Sequence, residues 1–404
     1  MKFASRLVSF NACPEDPFKP LATPIYQTAT FEQEEADQFG RYDYSRSGNP
    51  TRSVVEEHIA QLENADRAFC FASGLAAISA ITRLLSPGDE ILAGDDLYGG
   101  SYRLFSKILN RTGIGVRYAD ACDVETFAAQ ITPKTRLIYV ETPTNPLLRI
   151  VDLRALAELA RRNGALLCVD NSVMSPYLQN PLDLGADIVV HSATKYLCGH
   201  SDVTAGAVAV RRLDLAEQIY FIQNGEGSAL GPFDCFLLLR GIKTLKLRYD
   251  CQQANAQKIA RHLVNHPAVK RAYFPGLANH PGHDLQAKQA RGAGALISFE
   301  TGSFEFSKQF VEATQIFRIS VSFGSINSSI SLPGCMSHAS IPEEVRKERC
   351  LAKDLVRLSI GIEDADDLIH DLDRAFERAA ESVMSIGEAS VSEEIHLGHD
   401  QGRW

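Results

Sequence analysis

Across the middle of the chain six short apolar runs alternate with stretches of helical periodicity: Ala68–Phe71, Glu90–Ala93, Leu137–Val140, Ala165–Val169, Asp187–Val190 and Ala205–Val210. Strands buried on both faces read as such runs, and crossover helices fill the space between them. The alternation therefore restricts the chain to an α/β fold, a mostly parallel sheet covered by helices. Residues 1–48 lack helical periodicity and carry Pro14, Pro17, Pro20 and Pro24, the pattern of an extended arm. A helix is predicted from Asn49-Pro50, with Asn49 as cap and Val55, Ile59 and Leu62 on one face; His58 beside them reads as structural. The sheet domain is predicted to span 49–241. A long helix from Ile242 to about His266 then opens a smaller α+β domain, 242–382. Its strands are Gly294–Phe299, Ser320–Phe323 and Leu355–Ile360, and its closing helix runs from Ala365 to about Ala380. The Ser/Glu/Gly-rich tail, 383–404, is predicted to be disordered.

Composition narrows the function. At 404 residues and 45% hydrophobic content a large core can be buried. The net charge of −9 comes without any basic block that could track a phosphate backbone, which argues against nucleic acid as a partner. No apolar run approaches the length of a membrane span. Nine scattered cysteines without a C-x-x-C pair suggest neither a disulfide framework nor a zinc site; they suit a reducing, cytoplasmic compartment. His280 and His283, in a Pro-Gly turn without a third ligand, read as loop residues, so no metal is expected.

The chemistry is expected at the carboxyl ends of the strands, where open parallel sheets bind ligands. Lys195 lies there, in His191-Ser-Ala-Thr-Lys195-Tyr-Leu-Cys-Gly199, with no acid near it in sequence. It is either a surface lysine ending a strand or, desolvated, a nucleophile able to capture an aldehyde. Ser73, Gly74 and Leu75 open the helix after Ala68–Phe71, either as an ordinary turn or as a phosphate seat. Asp170 ends the strand Leu166–Val169 and either caps the next turn or pairs with a ring nitrogen to make an electron sink. Asn145, between Pro143 and Pro146, shapes a turn or donates to a ligand oxygen. Tyr98, followed by two glycines, is a core residue or a ring-stacking one. Arg357 makes a surface ion pair or forks onto a substrate α-carboxylate. Taken together, an aldehyde-capturing lysine, a phosphate seat, a ring-nitrogen acid, a stacking aromatic and a carboxylate clamp describe a site for pyridoxal 5'-phosphate (PLP) and an amino acid. The glycine fingerprints of dinucleotides and nucleoside triphosphates are absent, which removes a nicotinamide-dependent dehydrogenase.

Tyr44-Ser-Arg-Ser-Gly-Asn-Pro-Thr-Arg52, His191-Ser-Ala-Thr-Lys195 and Gly199-His-Ser-Asp202 resemble the PLP-dependent enzymes of Cys/Met metabolism, the group of cystathionine synthases and lyases. The resemblance spans about residues 20–380. Phe221–Ser228, Gly231–Cys235, Leu239–Thr244, Val321–Ser325 and Met336–Pro342 look closest to its plant-type β-lyase branch. The resemblance implies the fold of fold-type I PLP-dependent transferases. It implies that Lys195 holds the cofactor and shuttles protons, that Asp170 pairs with the pyridine nitrogen and that Tyr98 stacks on the ring and acts as a base. Phosphate would be held by Gly74 and Leu75 beside Ser73, by Ser192 and Thr194, and by Tyr44 and Arg46 from a neighbouring subunit. Asn145, Ser322 and Arg357 would bind the substrate carboxylate. The implied assembly is a homotetramer, a dimer of dimers with intersubunit active sites.

For this branch the resemblance implies β-elimination of L-cystathionine to homocysteine, pyruvate and ammonia, a step toward methionine. The γ-acting relatives, γ-lyase and γ-synthase, share nearly every residue named above. Asn327, standing where many of them carry a glutamate, leans toward the β-lyase. A catalytically silent relative has no chemical need for Lys195, Asp170, Tyr98 and Arg357 together. The start at Met1 leads to the expectation of a bacterial, cytoplasmic protein without a plastid transit segment.

Overall fold

The computed structural model describes residues 1–10, 16–336, 344 and 351–398, with side chains up to residue 383. A short helix, α1 (Phe3–Val8), opens an otherwise irregular arm, and α2 (Pro50–Glu63) follows. The side chain of Asn49 accepts from the N–H groups of Thr51 and Arg52, and Pro50 occupies the first turn, where its missing donor costs nothing.

Seven strands form the large sheet: β1 (Arg67–Phe71), β2 (Glu90–Gly94), β3 (Gly115–Ala119), β4 (Thr135–Glu141), β5 (Leu166–Asp170), β6 (Ile188–Ser192) and β7 (Gly206–Val210). Their order is β1-β7-β6-β5-β4-β2-β3, and only β7 runs against its neighbours. The predicted α/β class holds, as do all six apolar runs. The unpredicted member, β3, is an edge strand whose residues Gly-Val-Arg-Tyr-Ala are exposed or half-buried.

Helices α3 (Gly74–Thr82), α4 (Gly99–Arg103), α5 (Val124–Ala128), α6 (Leu153–Arg162), α7 (Ser175–Leu178), α8 (Leu213–Glu226) and α9 (Pro232–Ile242) surround the sheet. Ile78, Ile81, Leu215 and Ile219 cover one face, against Phe69, Phe71, Val208 and Val210. Leu153 and Leu156 cover part of the other, against Ile138, Val140, Leu167 and Val169. Burying these aliphatic side chains supplies most of the drive to this arrangement, at about 25 cal/mol per Å² of apolar surface.

The long helix predicted from Ile242 begins three residues later, as α10 (Leu245–Val264), because Ile242 ends α9. After it come β8 (Arg271–Tyr273), α11 (His283–Gln289), β9 (Leu296–Glu300), α12 (Phe304–Ala313), β10 (Arg318–Ile319), β11 (Ser329–Ser331), β12 (Val356–Ser359) and α13 (Ala365–Gly398). The five strands make a second sheet, β10-β11-β12-β9-β8. Ser320–Phe323, predicted as a strand, is not one; Ser322 takes φ +82° and turns the chain out of extended geometry. The closing helix, expected to stop near Ala380 before a disordered tail, continues to Gly398. The residues from Ala380 to Gly398 lack proline, so nothing in them removes a helical donor. Val55 and Ile59 of α2, Leu238 of α9, Ile259 of α10 and Phe299 and Leu358 of the second sheet share one core cluster. That shared core fixes the two sheets against each other, and the carboxyl ends of the large sheet open at the seam.

Candidate functional site

Strand β1 runs parallel to β6, since both oppose β7, so the ends of β1, β2, β4, β5 and β6 lie along one edge. After β1, Ser73 caps α3, its Oγ accepting from the Ala76 N–H at 3.1 Å. The first-turn N–H groups of Gly74 and Leu75 have no acceptor within the helix and suit an anion. A Cβ on Gly74 would stand 2.9 Å from the Cβ of Ser192, so backbone and Ser192 close the floor of this seat. Thr194 lines the same cavity, but its hydroxyl is already engaged, donating to the carbonyl of Ala205 and accepting its N–H.

At the end of β5, Asp170 caps the next turn and also faces the cavity. Its Oδ1 accepts from the N–H of Ser172 at 2.9 Å, capping the turn, and Oδ2 accepts from the Tyr139 hydroxyl at 3.1 Å while the residue faces the cavity. Burial first, then the charge of Asp170, pushes the Tyr139 phenol well above its ordinary value, so it stays a donor. Ser172 Oγ in turn accepts from the N–H of Ser192 at 2.6 Å, tying the turn beside the α3 N-terminus to the loop after Asp170.

Lys195 follows β6 and extends Nζ to the Oγ of Ser322, 2.5 Å away, over the ring of Phe323. Burial chiefly, and the nearby Arg357 guanidinium next, push the ammonium down to about 8, with Asp170 opposing. An amine with that value is partly neutral at physiological pH, the condition for a nucleophile or base.

Arg357, on β12, is 2% exposed. Its Nη1 donates to Asn145 Oδ1 at 2.9 Å and its Nη2 to the carbonyl of Ser322 at 2.7 Å, whereas Nε has no partner among the described residues. Asn145 thus acts on the arginine, through its carbonyl oxygen. Ser322 holds its left-handed φ while bonded on both sides, to Lys195 and to Arg357; strain of this kind persists where the surroundings over-determine it. Tyr98, 40% exposed, precedes α4, and its N–H is held by Glu141 Oε1 at 3.0 Å.

These groups surround one cavity of about 550 Å³, lined by the predicted Ser73, Gly74, Leu75, Tyr98, Asn145, Asp170, Ser192, Thr194, Lys195, Ser322 and Arg357. The model of the Cys/Met metabolism PLP-dependent enzymes matches residues 5–377. The chain belongs to this family. It is 57% identical to the chloroplastic cystathionine beta-lyase of Arabidopsis thaliana over 361 residues, 89% of this chain and 78% of that protein. It is 48% identical to a cystathionine beta-lyase of Bacillus subtilis over 89% of this chain and 92% of that one. The crystal structure of a cystathionine gamma-lyase from Lactobacillus plantarum, complexed with L-serine, superposes with a TM-score of 0.92 at 43% identity, covering 94% of this chain and all of the other.

The family's cofactor, PLP, fits what the cavity offers: a helix N-terminus closed by Ser192 for a phosphate, the Asp170 carboxylate in the lining, and a half-buried lysine without an ion-pair partner among the described residues. No helix among the described residues is long and apolar enough to cross a membrane, and no group of His, Cys, Asp and Glu among them could hold a metal ion.

Two predicted residues stand outside this cavity. Tyr44 is exposed with its ring against Arg46, whose Nη1 is bonded at 2.7 Å to the carbonyl and side chain of Asn224. Asn327 is exposed and does not line the cavity either, whereas Val321 does. The residues after Met336 in the run ending at Pro342 lie outside the described ones. Sequence reasoning missed Glu141, Tyr139, Ser172 and Arg103. Glu141 and Tyr139 sit at the end of and inside an apolar strand; the register sets Glu141 opposite Asp170 and Tyr139 opposite Cys168, from where its hydroxyl reaches Asp170. Arg103, at the end of the short α4, carries no local signal beyond its distance from Tyr98.

Proposed function

We propose that this chain is a cystathionine β-lyase, cleaving L-cystathionine and water to homocysteine, pyruvate and ammonia. The observation that carries it is the triangle of Lys195, Ser322 and Arg357. It places a partly neutral amine beside the group that fixes a carboxylate-binding fork. When bound, PLP supplies an electron sink that weakens the bond from the substrate Cα to its proton. Gly74, Leu75 and Ser192 would seat the phosphate, and Asp170, oriented by Tyr139 and Ser172, would hold the proton on the ring nitrogen. Tyr98, which lines the cavity, would cover the ring and serve as a base toward the incoming amino group. Arg357, with Asn145 and Ser322 aligning its nitrogens, takes the α-carboxylate. Lys195 Nζ removes the Cα proton, the C–S bond at the β-carbon breaks, and the sulfur leaves as the thiolate of homocysteine. Hydrolysis of the three-carbon remainder yields pyruvate and ammonia.

Preference for the β-carbon is supported by the identity to cystathionine beta-lyases, 57% to that of Arabidopsis thaliana. The γ-lyase superposition keeps a second reading open to test, because γ-elimination starts from the same proton loss at Cα. Incubation of the holoenzyme with L-cystathionine decides: pyruvate with homocysteine supports the β-lyase, and 2-oxobutyrate with cysteine refutes it in favour of a γ-lyase. The reading includes a homotetramer, a dimer of dimers in which Tyr44 and Arg46 complete a neighbour's phosphate seat; both stand clear of their own chain's cavity. Analytical ultracentrifugation checks the assembly. A reducing compartment such as the cytoplasm suits the seven described cysteines, all free thiols.

A further inference from the structure

Helix α10 contributes no residue to the lining of the cavity, yet its buried side carries four polar residues, each of which donates to a backbone carbonyl in or next to the loops that build the site. Arg248, Tyr249, Gln252 and Asn255 fall on one face by helical spacing, and each is at least nine-tenths buried. Nη2 of Arg248 donates to the carbonyls of Tyr196 at 2.9 Å and Leu197 at 3.4 Å, in the turn that carries Lys195, and to that of Gly241 at 2.9 Å. The Tyr249 hydroxyl donates to the carbonyl of Val173, in the loop that follows Asp170, while its ring stacks on Tyr196 at 4.1 Å and 9°. Nε2 of Gln252 donates to the carbonyl of Ser325 at 2.7 Å, just past Ser322, and to that of Ile360 at 3.1 Å, just past Arg357. Nδ2 of Asn255 reaches Glu363 at 2.7 Å and Gly361 at 3.3 Å, further along the same exit from β12.

Ordinary core packing does not require this. An interior helix face filled with aliphatic side chains would avoid desolvating a guanidinium, a phenol and two amides. Arg248 has no carboxylate among its described partners, and burial pushes it down to about 10; its Nη2 goes to carbonyls and its Nε to the Thr244 hydroxyl. The backbone around it is shaped to match. The turn after Lys195 ends at Gly199 with φ +74°, where a Cβ would overlap the Arg248 guanidinium. Gly324 leaves so little room that a Cβ would stand 2.8 Å from the Tyr196 nitrogen, and the N–H of Ile326 donates to the carbonyl of Gly199 at 2.9 Å. The Lys195 turn and the Ser322 loop are thereby fastened to each other and to one helix.

We propose that this polar face of α10 is a positioning device: Arg248 sets where Lys195 stands, and Gln252 sets the Ser322 loop and the exit of the Arg357 strand against it. The proposal rests on the PLP site described above. Cystathionine turnover plays no part in it. The four residues are positioning residues, since none touches the cavity.

The test uses the holoenzymes of Arg248→Lys and Gln252→Met, with thermal melts to follow folding. Lysine keeps the charge of Arg248 but cannot span two carbonyls of the turn. The pH midpoint of the bound cofactor's visible absorption, recorded without substrate, is expected to move by about half a unit or more in Arg248→Lys. Binding of L-alanine, which has no β leaving group, is expected to weaken roughly tenfold in Gln252→Met, a loss of about 1.4 kcal/mol, with the absorption midpoint unchanged. If both proteins melt earlier but keep the parent's midpoint and L-alanine affinity, the face is structural only and the proposal is overturned. Should Arg248→Lys fail to fold, Gln252→Met decides by its L-alanine affinity. A protein that passes these tests yet leaves cystathionine intact refutes the β-lyase reading without touching this one.

Discussion

Replacing Gly74 with alanine separates the stability of α3 from its service as a phosphate seat. The added Cβ would lie 2.9 Å from the Cβ and 3.0 Å from the Cα of Ser192, where carbon atoms ordinarily approach to about 3.5–4.0 Å. The helix N-terminus and the Ser192 turn must therefore part by roughly 0.6 Å or more. Overpacking of this kind costs about 1–3 kcal/mol, and exchanging glycine for alanine within a helix returns about 1 kcal/mol. The apoprotein should lose only about 0–2 kcal/mol by this reckoning. The seat should lose more, because hydrogen bonds of about 2.9 Å stretched by that amount reach about 3.5 Å, beyond good geometry. With bonds to charged groups contributing about 1.5–3 kcal/mol each, weakening one or two lowers affinity for PLP by about 10- to 100-fold. Thermal melts of the apoprotein and an absorbance titration with PLP measure the two effects. Unchanged PLP affinity would refute the placement of the phosphate on α3, whatever the melting temperature did.

Four further outcomes are expected. Capture of PLP by the apoprotein should accelerate as pH rises to about 8 and then level off, because the reactive form of Lys195 is the neutral amine; a rate still climbing toward the range of an ordinary lysine would contradict the site. The same depressed value means that the unfolded chain binds more protons than the folded one above about pH 8. The lysine's contribution to apoprotein stability should then rise with pH from there toward 10.5. Arg357→Lys keeps a charge but loses the fork onto Asn145 and Ser322, and should raise KM for the amino acid by about tenfold or more, read from initial rates. Tyr139→Phe removes a donor from Asp170 and should lower kcat by about fivefold to tenfold, in line with one lost hydrogen bond of about 1 kcal/mol or slightly more, with KM little changed.

The sheet was legible because its strands are buried on both faces and so had to be written as apolar runs. Strand β3, at the edge with Arg117 in its middle, escaped the same logic. The residues lining the cavity were legible one at a time, by their place after each strand; their partners were not. Lys195 and Ser322 are 127 residues apart, and Asn145 and Arg357 are 212 apart, so no spacing rule links them. Ser320–Phe323 misled because its composition suits a strand, while Ser322 is bent out of one by bonds from Lys195 and Arg357. The polar face of α10 is written in the sequence at helical spacing, but it reads as a solvated face until the helix is seen to be buried there.

Borohydride reduction of the holoenzyme, followed by peptide mapping, tests most directly whether the Lys195 cavity is the active site. The expected result is one cofactor-modified lysine, Lys195, with loss of activity in step with its labelling. Label on any other lysine, or none with PLP bound and the enzyme active, would contradict the account.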